Sequence, residues 1–179
     1  EHHPLHRAAI SIETTNESWL DVNELCSRRS RERRTEGKHM RADETHYNYA
    51  TEQAMTTNFL TGKVKSSALD APVQDMISSL YFIRTKPLAL DVDQHFLINV
   101  SGSNYTVNIR PDLRKTMYFR PTGDVAALRV EPKPTLTVVS ANKGRMWFWV
   151  SDDVLRLPLL VASDLRIGSA KLILNKIET

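Results

Sequence analysis

The chain has 179 residues, of which 41% are hydrophobic and 25% charged, and a formal net charge of +3. That length suits one domain with its own core, and so small a net charge excludes a dedicated nucleic-acid-binding protein. The single cysteine, Cys26, excludes an internal disulfide, and no apolar run is long enough for a membrane-spanning helix.

The start of the chain carries no methionine and no apolar signal region. We therefore expect residues 1–179 to be one domain of a mature or N-terminally truncated fragment. An edge strand of the fold would then be missing.

Alternating polar and apolar residues predict strands near 7–14 and across 45–58 in the first half of the chain. Between them, residues 26–41 hold too few apolar side chains for their period to distinguish a helix from a strand. Residues 63–70 are predicted to be a polar connection.

The segment 70–85 has the pattern of an amphipathic helix. Asp70 is a suitable N-cap, Pro72 is tolerated in the first turn, and Pro87 disfavours continuation. Five apolar residues fall at helical spacing and form one face: Val73, Met76, Ile77, Leu80 and Ile83.

Beyond Pro87 the pattern predicts short antiparallel strands with tight turns. The expected strands are 96–100, 105–109, 115–120, 125–131, 136–140 and 170–174. A four-residue loop, 101–104, is expected to join the first two of them into a hairpin.

Residues 145–161 predict a second hairpin, with its turn at 151–154. Side-chain alternation places Trp147 and Trp149 on one face and Phe148 on the other. Because both faces are apolar, the strand is expected to be covered on both sides, and this hairpin is the best partner for the apolar face of the helix.

No catalytic or metal-binding constellation stands out in the sequence. The six histidines lack the spacing of metal ligands, Asp152 and Asp153 suit a turn better than paired acid–base chemistry, and Cys26 has no obvious base. We therefore expect a non-enzyme without a metal or cofactor.

Five arginines lie between Arg28 and Arg34. Such a cluster binds phosphate or nucleic acid in some proteins, but interleaved acidic residues and the lack of stacking aromatics favour a solvated, charged strand. The expectation is that nucleic acid is not a partner.

The aromatic residues near the predicted helix and hairpin have two interpretations. Trp147, Phe148, Trp149 and Tyr81 form either plain core or the lining of a cavity for an acyl chain or a sugar. They are the candidate ligand-binding residues.

Three segments together resemble the domain-of-unknown-function 3108 family of exported bacterial proteins. They are the helix at 73–85, the turn and strand at 121–132, and the closing segments between 144 and 169. The resemblance covers about residues 70–175. It implies a curved antiparallel sheet, a half-barrel or open barrel similar to lipoprotein carriers, with the helix packed against it. It also implies a periplasmic or outer-envelope location, and no residue role.

Two functions are consistent with these observations. The first is a binding module for a lipid or other amphiphile, held in the half-barrel. The alternative is an assembly module that engages polysaccharide or another envelope protein through strand edges and the Arg28–Arg34 face.

Overall fold

The computed structural model describes residues 12–120, 122–134, 145–165 and 168–177. Within these ranges the fold is mainly β, with two antiparallel sheets, one short helix and no closed barrel. The first sheet contains β1 (Ile12–Asp21), β2 (Cys26–Glu36), β3 (His39–Asn48), β4 (Gln53–Asn58) and β5 (Val64–Ala68). The second contains β6 (Gln94–Val100), β7 (Ser103–Phe119), β8 (Gly123–Pro134), β9 (Met146–Ser151), β10 (Pro158–Leu165) and β11 (Gly168–Ile173).

Each sheet is a meander in which every strand pairs with the next along the chain. The prediction of a mainly antiparallel β protein is thus confirmed, whereas the expectation of one continuous sheet is wrong. The helix α1 (Ser78–Arg84) lies in the connection between the two sheets. No helix of the described ranges has the length and apolar character needed to cross a bilayer.

The first sheet departs from the sequence predictions in two places and decides a third that the sequence left open. Residues 26–41, for which helix and strand were both possible, are extended and form β2 with the start of β3. Residues 45–58 are a hairpin rather than one strand. The Asn48 side chain stabilises that hairpin's turn by accepting the backbone N–H groups of Ala50 and Thr51. The predicted polar connection at 63–70 contains β5, which pairs with β4 although it is largely polar.

The helix is shorter than predicted. It begins at Ser78 rather than Asp70, because the Asp75 carboxylate accepts the backbone N–H groups of Ile77 and Ser78. Residues 73–75 are instead extended between the sheets. The predicted end near Thr85 is confirmed.

In the second sheet the predicted hairpins are present. β6 and β7 are joined by Ser101 and Gly102, both with positive φ, which is a tighter turn than the predicted four-residue loop. The tryptophan hairpin is formed by β9 and β10, and β11 completes the sheet. The predicted strand at 136–140 and most of 7–14 lie outside the described residues.

Three apolar clusters form the core in the part of the chain that the structure describes. The first lies between α1 and the second sheet and comprises Ile83, Leu88, Ile98, Val107, Ile109, Leu128, Val130 and Val150. The second belongs to the first sheet and comprises Tyr47, Ala54, Leu69 and Val73. The third comprises Phe119, Ala127 and Leu159, with Trp149 packed against it.

Since Ala127 and Leu128 are consecutive residues of β8, the third cluster lies on the opposite face of the second sheet from the first. Apolar side chains of the second sheet therefore pack on both of its faces around β9, against α1 on one face and among themselves on the other.

Candidate functional site

The segment 73–75 joins the two sheets and positions α1. Ser27 of β2 donates its backbone N–H to the Val73 carbonyl at 3.0 Å. Gln74 donates to the Leu97 carbonyl of β6 at 2.9 Å and accepts from the Asn99 N–H at 2.8 Å. Backbone hydrogen bonds therefore run from the first sheet through this segment into the second.

Side chains of the same segment strengthen the junction. The Gln74 amide donates to the Leu25 carbonyl at 2.6 Å. The buried Asp75 carboxylate accepts the hydroxyls of Ser18 at 2.6 Å and Ser27 at 2.9 Å. Because the other Asp75 oxygen caps α1, one carboxylate fixes the helix start to two strands of the first sheet.

The helix is also fixed at its other end. Arg84 donates through Nε to the carbonyl of Leu155, in the loop between β9 and β10, at 3.0 Å. Ile83 packs in the cluster that contains Val150 of β9. The helix thus touches the tryptophan hairpin through this cluster and this loop, but its backbone lies closest to β1 and β2 of the first sheet. The prediction that the hairpin is its main partner is not confirmed.

An apolar cavity of about 150 Å³ lies between α1 and the second sheet. Its lining comprises Met76, Ser79, Ile83, Phe96, Ile98, Val100, Tyr105, Val107, Pro132, Met146 and Phe148. The Ser79 hydroxyl, one of the few polar groups there, donates to the Met76 carbonyl at 3.0 Å. A wall of this kind excludes charged groups and suits hydrocarbon.

The four candidate residues from the sequence are not brought together. Phe148 lines the cavity. Trp149 packs against the third cluster, and strand alternation puts Trp147 on the same side, where Arg145 lies 4.9 Å from its ring centre. Tyr81 is exposed on the helix, with the Arg84 guanidinium over its ring.

Sequence reasoning missed most of the cavity wall. Phe96, Ile98 and Val100 alternate along β6, and Tyr105 and Val107 do so along β7. That period shows that each set shares one face. It does not show that helix and sheet leave a space between them.

Most arginines of the cluster form ion pairs with acidic residues of the first sheet. Four of its five members are paired: Arg28 with Asp21, Arg29 with Glu44, Arg31 with Glu44 and Glu17, and Arg34 with Glu36. The Arg29 guanidinium also lies 4.4 Å from the Trp19 ring centre.

Glu44 lies at the centre of that cluster, and its carboxyl is more acidic than a usual glutamate. Hydrogen bonds from Arg29, and further ones from Arg31 and His46, lower the pKa of its carboxyl to about 2 although burial opposes this shift. The charges of Arg29 and Arg31 are thus compensated within the first sheet.

The adjacent aspartates form a turn, as predicted. Asp153 accepts the Ser151 hydroxyl at 2.7 Å, which lowers the pKa of its carboxyl, and Asp152 pairs with Arg114 and Arg156. Cys26 is buried. Within the described ranges no group of three or more acidic, histidine or cysteine side chains is placed to hold a metal ion.

The comparison with protein families identifies one relationship. The model of a family described as "Protein of unknown function (DUF3108)" matches residues 5–175, nearly the whole chain. The match extends through the first sheet, beyond the segments in which the motifs are evident. Neither the curated proteins nor the solved structures contain a match.

Proposed function

Because the chain belongs to the DUF3108 family of proteins of unknown function, we propose its function from its own geometry. It is a non-enzymatic binding module that holds an apolar or amphiphilic ligand between α1 and the second sheet. The observation that carries this proposal is the cavity of about 150 Å³ beside Ile83 and Phe148. A concave and mostly apolar lining of this kind is typical of a site for a small apolar molecule.

The size and chemistry of the cavity define the ligand class. An apolar cavity of about 150 Å³ engineered in another protein stays free of water and binds benzene or xenon. A short stretch of an acyl chain has similar chemistry. A longer chain would extend past the lining while its polar end stays in water.

In this proposal the two sheets act together as an open half-barrel, similar in shape to the lipoprotein carriers that the family resemblance implies. The continuous hydrogen bonding through Gln74 supports this arrangement. The same resemblance supports a periplasmic or outer-envelope location, which fractionation of source cells would test.

The alternative, an assembly module for polysaccharide or an envelope protein, stays a prediction. Its proposed Arg28–Arg34 face is not favoured, because four of the five arginines have acidic partners within the chain. A ligand for that face would have to compete with these ion pairs.

Binding of a fluorescent acyl probe tests the proposal. Val100→Phe adds a ring at the cavity wall and should weaken probe binding about tenfold or more, because the ligand and the ring compete for the same space. Val154→Phe is the matched control, since Val154 is 95% exposed in the β9–β10 loop. Equal binding by both variants, or no binding by the wild type, would overturn the proposal.

A further inference from the structure

One end of the first sheet exposes apolar side chains among basic ones. The turns β2–β3 and β4–β5 lie at this same end, because successive strands run in opposite directions. We call residues 33–41 and 58–64 the tip. The Phe59 N–H donates to the Ala42 carbonyl at 2.8 Å, so the two parts of the tip lie side by side.

The apolar residues of the tip are strongly exposed. Met40 is 67% exposed, Phe59 61% and Leu60 52%, and Val64 is exposed as well. None of them belongs to the three core clusters. Such a group of exposed large apolar side chains is typical of an interaction surface.

Basic residues surround these side chains. The tip contains five lysines and arginines and one acidic residue, Glu36, and Glu13 of β1 lies beside it, opposite Thr35. Arg34 pairs with Glu36, and Arg41 with the buried Asp43. The others, Arg33, Lys38 and Lys63, have no ion-pair partner within the ranges that the structure describes.

We propose that the tip docks on an anionic lipid bilayer. Phe59, Leu60 and Met40 enter the boundary between headgroups and acyl chains, and the unpaired cations bind lipid phosphates. An aromatic and aliphatic loop with flanking lysines has the composition of an interfacial anchor. The positive charge is complementary to an anionic leaflet, which favours lipid over a protein partner as the occupant.

The tip lies near one end of the cavity. Lys65, directly after Val64, donates through Nζ to the Ser103 hydroxyl at 2.6 Å. Ser103 lies at the start of β7, between Val100 and Tyr105, which line the cavity. Docking by the tip would therefore bring the β6–β7 end of the cavity close to the bilayer. The docking itself goes beyond the proposed ligand binding and does not depend on it.

Sedimentation of the full chain with vesicles tests the proposal. Vesicles of equal parts phosphatidylcholine and phosphatidylglycerol should bind the chain, and phosphatidylcholine alone should bind it far more weakly. The double variants Phe59→Ser/Leu60→Ser and Lys38→Gln/Lys63→Gln should each lose about tenfold or more in affinity for the anionic vesicles.

Two matched control variants distinguish vesicle binding by the tip from non-specific adsorption of the protein. Val154→Ser/Leu155→Ser removes exposed apolar side chains from the β9–β10 loop, and Lys115→Gln/Lys171→Gln removes the same charge from the second sheet. Both should bind like the wild type. No binding of the wild type to anionic vesicles, or equal losses in tip and control variants, would overturn the proposal and leave a protein partner as the occupant.

The cavity variant keeps this test distinct from the test of ligand binding. Val100→Phe should sediment with anionic vesicles like the wild type, because Val100 is not part of the tip. Loss of vesicle binding in this variant would show that the cavity, and not the tip, makes the contact.

Discussion

Asp75 Oδ2 lies 2.6 Å from the hydroxyl of Ser18, so the residue that starts α1 is also bound by the first strand of the first sheet. The contact spans 57 positions of the chain. Since α1 forms one wall of the cavity, the first sheet determines where that wall lies. This explains why a helix of only seven residues can hold a fixed position.

Asp75→Ala is predicted to lower the free energy of unfolding by about 3 kcal/mol. It removes the carboxylate that accepts the N–H groups of Ile77 and Ser78 at the start of α1, and it leaves the buried Ser78 N–H without this acceptor. Asp70→Ala is the matched control. The exposed Asp70 is the cap that the sequence suggests, and its loss should cost less than about 0.5 kcal/mol. Urea unfolding measures both. A larger effect at Asp70 would contradict the position of the helix start.

The contact between the sheets can be tested at Gly102. A Cβ there would lie 2.8 Å from Thr56 Oγ1, which is buried and hydrogen-bonded to Thr45. Gly62 has a similar φ, +68° against +70°, but open space around it. Alanine strains the backbone at both positions, so Gly102→Ala should destabilise the protein by about 1 kcal/mol more than Gly62→Ala in thermal or urea unfolding. Equal effects would show that the β6–β7 turn does not touch β4.

Glu44 predicts a pH dependence of stability. Its carboxyl has a pKa of about 2 in the folded chain against a usual 4.5. The ionised form therefore stabilises the fold fully above pH 4.5, and this contribution is lost as the pH falls towards about 2.

Glu44→Gln should cost roughly 1 to 2 kcal/mol at neutral pH and flatten the decline of stability in that acidic range. Glu13→Gln, at an exposed position of β1, should leave the curve unchanged. Identical pH curves for the wild type and Glu44→Gln would refute this role of Glu44.

Tryptophan fluorescence distinguishes the cavity from the opposite face of the sheet. None of the three tryptophans lines the cavity. A saturating acyl ligand should therefore change the emission little, and Trp147→Ala should bind it like the wild type, whereas Phe148→Ala should alter its affinity. A strong emission change that disappears in Trp147→Ala would place the ligand on the tryptophan face.

Much of the fold was predictable because alternation and turn residues are local signals. The tryptophan hairpin, the β6–β7 hairpin and the end of α1 follow from such patterns. The start of the helix did not, because Asp70 and Asp75 are both plausible caps and only the distant Ser18 and Ser27 favour Asp75. The strand β5 was missed since it is held by pairing to β4, not by its own apolar residues.

The candidate site was less predictable than the fold. Strand alternation correctly separates Phe148 from Trp147 and Trp149, but it does not say which face meets the helix. That face is set by the junction at Gln74, whose backbone partners Leu97 and Asn99 lie far along the chain. Tyr81 lies on the exposed side of α1 because Ser79 and Ile83 occupy the inner side.

The proposed function requires that an apolar ligand occupies the space between α1 and the second sheet. The most direct measurement is a crystal structure of the protein under xenon pressure or soaked with a brominated alkane, read from the anomalous signal. We expect a peak within the cavity, in contact with Ile83 and Phe148. A peak only at the Trp147–Trp149 face, or a cavity filled by rearranged side chains, would contradict it.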